Sequence, residues 1–131
     1  MAGETDLSKL LSSMSPEVLS EEYVFCTVKG KYGDYLELSP LASFCESEGL
    51  TLIVTKENAI KHGISFDSVF KAITLKVHSS LDAVGLIAAV SSKLAEQGIS
   101  ANVVAAYYHD HIFVQSDKAN LAIQALNEFC S

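Results

Sequence analysis

Three groups of residues in this 131-residue chain have types and spacing that could do chemistry. The first is His109-Asp110-His111, with His78 elsewhere in the chain. On a strand, His109 and His111 would point to one face, two positions apart, as paired imidazole ligands do. Zinc takes three or four ligands, each steadied by outer hydrogen bonds. No motif places a carboxylate or thiolate beside these two histidines. The run therefore reads as a polar β-turn at His109-Asp110, and no metal is expected.

The second group is Cys26, Cys45 and Cys130. They are scattered, with no CxxC spacing, and the pattern puts all three on apolar faces. Such thiols are ordinarily inert core residues, and an odd count suits a reducing compartment. The third group is Ser79-Ser80-Leu81-Asp82. Here the acid stands three residues after Ser79, which is the spacing of a capping box opening a helix. The G-x-S-x-G setting of a nucleophilic serine is missing. Neither a phosphate-cradling G-x-x-x-x-G-K-[ST] loop nor a G-x-G-x-x-G run occurs. Glu21-Glu22 reads as a solvated turn before a strand. These residues point to a chain that is not an enzyme and needs no cofactor.

Composition narrows the partners. Lys plus Arg number 9 against 16 Asp plus Glu, a formal charge of -7. An acidic chain is a poor match for nucleic acid or for an anionic membrane surface. With 49% hydrophobic residues, 19% charged and two prolines, the chain should fold, as one domain or as two small ones sharing a core. Its apolar runs are too short to span a bilayer, and residues 1–6 do not resemble a secretory signal. A cytoplasmic location is expected.

The elements that must position these residues follow from periodicity. Leu7, Leu10, Leu11 and Met14 make one apolar helical stripe, capped by Thr5 or Asp6. Residues 23–28 read as a strand and residues 31–37 as an exposed turn or short hairpin. Ser39-Pro40 is expected to open a helix over residues 41–48 that Gly49 ends. Residues 51–54 read as a buried strand, and Thr55 caps a short helix that Gly63 stops. Residues 69–78 alternate as a long strand. A helix follows over about residues 83–97 with Gly98 at its end. Residues 101–108 and 111–114 are expected strands, and Ser116 or Asp117 opens a last helix.

The second half thus reads β-α-β-β-α, the ferredoxin-like pattern less one strand. The open sheet edge must be covered by a strand from the first half or by another subunit. Residues 23–54 also repeat residues 72–103 at an offset of 49, a strand, a helix and then Gly-strand. The expected fold class is α+β: two ferredoxin-like βαββαβ units in tandem, with antiparallel sheets and helices on one face. The expected boundaries are residues 5–67 and 68–131.

His78 to Leu86, "HSSLDAVGL", resembles the strand-to-helix loop of ACT domains, with Gly85 at the motif glycine. "LAEQGISAN" over residues 94–102 is similar to that family's helix end and second strand, and "YYHDHIFV" over residues 107–114 to its hairpin. Many such loops read Asp-x-Pro-Gly, whereas this one reads Asp82-Ala83-Val84-Gly85. The resemblance is strongest over residues 71–127 and extends to small bacterial proteins of two ACT-like units. The layout is similar to the regulatory part of aspartate kinases and to a cytosolic arginine sensor.

That resemblance implies a regulatory module binding an amino acid near a subunit or repeat interface. The implied site is Ser79, Ser80, Leu81, Asp82, Ala83, Val84, Gly85 and Leu86, with Asn102 and Val103 on the next strand. A helix N-terminus offers unpaired N–H groups to a carboxylate. Gly85 lets a ligand approach the backbone, Asp82 can accept from an α-ammonium, and Asn102 can donate and accept. The same residues also suit a plain helix start, with Ser79 and Asp82 as caps and Gly85 allowing close packing. A homodimer or higher homo-oligomer is expected, and the alternative role is a protein-interaction module without a small ligand.

Overall fold

We describe residues 6–77 and 84–130 of a computed structural model. Along the chain the elements are α1 (Leu7–Ser13), β1 (Pro16–Val28), a 3-10 helix (Tyr32–Leu38), β2 (Ala42–Glu46), β3 (Gly49–Thr55), α2 (Lys56–Lys61), β4 (Phe70–Leu75), α3 (Leu86–Glu96), β5 (Asn102–Ala105), β6 (Asp110–Gln115), a 3-10 turn (Ser116–Lys118), α4 (Ala119–Asn127) and a last 3-10 turn (Glu128–Cys130). They form two compact units, a larger one of Met1–Leu19 with Lys71–Ser131 and a smaller one of Ser20–Phe70.

In the larger unit the strand order is β1-β4-β6-β5, with the start of β1 beside β4. The Lys76 N–H donates to the Ser15 carbonyl at 3.2 Å, and the exposed Lys76 ammonium lies 4.0 Å from Glu17. The chain's own beginning thus supplies the strand that a β-α-β-β-α run lacks. Ile73, Leu75, Ile112 and Val114 form one face of this sheet. Leu86, Val90 and Leu94 of α3 and Ala122 and Leu126 of α4 pack on it, and Leu10 and Met14 join the same core. The i, i+4, i+8 spacing on α3 is what makes its apolar stripe. Gly98, at φ +72°, ends that helix. The Ile99 N–H then reaches the Leu94 carbonyl and the Gly98 N–H the Ala95 carbonyl, a Schellman ending with Ile99 buried.

The hairpin of the larger unit departs from expectation. β5 pairs antiparallel with β6 from Asn102↔Phe113 to Ala105↔Asp110. That register leaves Ala106 to His109 as the connection, closed by the Ala106 N–H on the His109 carbonyl at 3.1 Å. Tyr107 and Tyr108 stand at the tip, each 64% exposed, with their rings edge to face at 5.0 Å. Tyrosines favour strands and carry no turn signal, so the sequence pattern extends the strand through them. Asp110 belongs to β6 and not to the turn.

In the smaller unit β1 pairs antiparallel with β3, from Tyr23↔Thr55 to Val28↔Leu50, and β3 pairs antiparallel with β2, from Ala42↔Ile53 to Glu46↔Gly49. Val24, Cys26, Leu50, Leu52 and Val54 bury one face with Leu38 and Ala59. Thr55 caps α2 as expected, its hydroxyl accepting from the Asn58 N–H at 3.1 Å. The Asn58 side chain in turn donates to the Leu38 carbonyl at 3.1 Å.

The helix expected over residues 41–48 is instead strand β2. The helical turn comes earlier, at Tyr32–Leu38, where the Asp34 carboxylate accepts from the Lys31 N–H at 3.0 Å. Ser39 adopts φ +47°, and the Leu41 N–H donates to the Ile53 carbonyl at 2.8 Å, so pairing with β3 overrides the Ser-Pro helix signal. Consequently the 49-residue repeat does not align like with like, since Gly98 ends a helix whereas Gly49 begins a strand. Cys26 is buried, its thiol donating to the Leu52 carbonyl at 3.6 Å. Cys45 and Cys130 are exposed, contrary to the pattern. Cys45 sits on the exposed strand β2, and Cys130 reaches back to the Met14 carbonyl at 2.7 Å.

If α1 is an integral part of the core, Leu10→Ala should lower the unfolding free energy by about 2–5 kcal/mol in urea titrations. Leu36→Ala, at a site 60% exposed, should change it by no more than about 0.5 kcal/mol. Equal effects would contradict that packing.

Candidate functional site

Lys76, after β4, and Gly85, before α3, each contact residues of the first fifteen. On the β4 side, Lys76 is bonded to Ser15. On the α3 side, Gly85 lies against Leu7, and a Cβ added to Gly85 would come within 3.2 Å of Leu7 Cδ2. Gly85 also has φ +95°, which side chains rarely adopt, so two independent constraints select glycine there.

Gly85 is the N-cap of α3 and has no side chain with which to cap it. The helix starts at Leu86, three residues later than the sequence pattern suggests, and no acidic residue occupies its first turn. A helix start presents backbone N–H groups and partial positive charge, worth about 0.3–1 kcal/mol to an anion near the surface. The arrangement can therefore receive a carboxylate.

The expected site residues are distributed as follows. Ser79, Ser80, Leu81, Asp82 and Ala83, with the Ser79–Asp82 capping box and His78, lie outside the described residues. Val84 is 84% exposed beside Gly85. Leu86 points into the core, and Val103 packs against that same core. Asn102 is exposed at the start of β5, and its amide donates to the Phe113 carbonyl at 3.2 Å. Val84 and Gly85 thus flank the loop, whereas Leu86 and Val103 are packing residues.

The histidine run takes a different form from paired imidazoles on a strand. His109 ends the hairpin turn, and its Nδ1 is buried without a hydrogen-bond partner among the described residues. His111 is on β6, with Nδ1 2.9 Å from the Thr74 hydroxyl. Thr74 is a buried polar residue in β4. Its place in an otherwise apolar run was the available signal, missed because the partner lies 37 residues away. Among the described residues no group of three His, Cys, Asp or Glu is placed to hold a metal ion.

Burial pushes the His111 imidazole below its ordinary value of 6.5, and His109 lowers it further against the pull of Asp110. Burial likewise pushes the Asp110 carboxyl above 3.8, opposed by both histidines. The unfolded His111 takes up its proton first as pH falls. Its contribution to stability is therefore complete above about pH 6.5 and declines below it. Asp110 acts oppositely, its contribution being complete below pH 3.8 and lost as pH rises through its raised value. Thermal unfolding between pH 8 and pH 5.5 should show a smaller acid-induced drop in His111→Gln than in the parent. An identical drop would contradict this assignment.

Comparison with known proteins agrees with the topology. Models of the ACT domain match residues 2–71 and residues 68–128. A search of curated proteins returns no match. A solved Vibrio cholerae protein of unknown function, described as a possible transport protein, is 58% identical and superposes with a TM-score of 0.89. That match covers 95% of this chain and 96% of the other. A protein from Agrobacterium tumefaciens is 16% identical with a TM-score of 0.69, covering 89% of each chain. The ligand-free regulatory subunit of Thermus thermophilus aspartate kinase is 7% identical with a TM-score of 0.61, covering 92% of this chain and 99% of its own. These last two show a shared fold alone. This chain belongs to the ACT-domain family, as an α+β protein of two ferredoxin-like units in tandem.

Proposed function

We propose that this chain is a non-catalytic sensor that binds a small amino acid at the N-terminus of α3. Membership of the ACT family supports a regulatory, ligand-binding role. The observation that carries the finer reading is that the N-cap of α3 is Gly85, which has no side chain to occupy the first-turn N–H groups. The ligand's carboxylate would take the N–H groups of the first turn, and Gly85 would admit it to the backbone. Asp82 would accept from the α-ammonium, with Ser79, Ser80, Leu81, Ala83 and Val84 shaping the loop around it. In sequence, residues 5–67 and residues 68–131 would each be one ACT module, with the residues before Ser20 contributed to the larger compact unit. The chain would act in the cytoplasm as a homodimer or larger assembly.

A second reading, docking to another protein without a small ligand, is favoured by the exposed Tyr107-Tyr108 tip. Aromatic side chains of this kind are enriched where proteins meet.

A thermal-shift screen against the twenty amino acids separates the two. A ligand at one hundred times its Kd should add about 2.7 kcal/mol, a rise of several degrees. The response should be lost in Gly85→Val and in Asp82→Asn, the second of which leaves the Leu7 contact alone. No responder, or a response that survives both substitutions, would contradict the site.

A further inference from the structure

The smaller unit contains an open cleft of about 540 Å³ that the proposed amino-acid site does not use. The residues that line it include Phe25 and Phe66, the acidic Glu46 and Asp67, and the hydroxyl-bearing Thr27 and Thr51. Among the described residues that line it, none is Lys, Arg or His. Several of these groups are held in place. The Phe25 ring is braced edge-on by Phe70, with centroids 5.2 Å apart. The Thr51 hydroxyl donates to the Glu46 carboxylate. The absence of a side chain at Gly49 makes room for Thr27, whose Oγ1 would lie 2.7 Å from a Cβ there.

We infer that this cleft binds an organic cation, an amine with a short apolar body and no carboxylate of its own. The two carboxylates match an ammonium group, and a protonated amine also gains over the face of a phenyl ring. The phenyl walls suit an apolar body and offer nothing to a hydrated metal ion. A carboxylate on the ligand would be repelled by Glu46 and Asp67, in a chain whose net charge is already -7. The cleft therefore selects against the amino acids proposed for α3, and the two sites would take different ligand classes.

The inference is tested by calorimetric titration with 2-phenylethylamine, using 3-phenylpropanoate as an anionic analogue of similar size. The amine should bind saturably and the carboxylate should not. Binding should weaken by about tenfold or more in Glu46→Gln/Asp67→Asn. Asp67→Asn alone, at an exposed loop position, should weaken it in the same direction and guards against a folding defect in the pair. Absence of saturable amine binding, equal binding of the carboxylate, or unchanged binding in both variants would overturn the inference.

Discussion

The hydrogen bond from the Lys76 N–H to the Ser15 carbonyl marks the constraint on which the larger unit depends. A β-α-β-β-α segment leaves one edge of its sheet without a partner. Unpaired backbone groups there are costly when buried and sticky when exposed. The start of β1 fills that place. The same stretch of chain carries α1, whose Leu10 and Met14 complete the core between the sheet and α3 and α4. Pairing and burial thus reinforce one another, and neither β4 nor α3 is fully packed without the N-terminal residues.

The consequence for function is local. Lys76 and Gly85 stand on either side of the segment between β4 and α3, and both contact residues that precede β1. The helix starts of the protein are treated unequally. Asp6 caps α1 and Thr55 caps α2, whereas α3 begins on a glycine with positive φ and no side-chain cap. α4 also lacks a side-chain cap, but it continues directly from the 3-10 turn Ser116–Lys118. At α3 the N-cap residue itself cannot occupy the first-turn N–H groups, on a helix whose other end is closed by Gly98 and Ile99.

Much of this was legible in the sequence where one physical rule dominated. The Val90 and Leu94 positions on α3, the Gly98 ending, the Thr55 cap and the alternation of β4 each follow from periodicity or capping, whereas Leu86 takes the core position given to Ile87. The open sheet edge was legible too, though what fills it was not, because strand pairing between distant segments leaves no local mark. The failures share that cause. Residues 41–48 carry a Ser-Pro helix signal but lie where β3 needs a partner. Tyr107 and Tyr108 have strand chemistry, yet the β5–β6 register makes them the hairpin tip. Thr74 and His111 meet across the sheet, which spacing along the chain cannot show. Of the expected site residues, Gly85 lies against Leu7, and Leu86 and Val103 pack in the core.

The most direct test of amino-acid binding at α3 is backbone amide chemical-shift mapping during titration with the amino acid that stabilises the protein. The account predicts that the largest shifts fall on the N–H groups of Gly85, Leu86, Ile87 and Ala88. Smaller shifts should reach Leu7 through its contact with Gly85. Saturable binding with these amides unmoved, and the shifts gathered elsewhere, would contradict it.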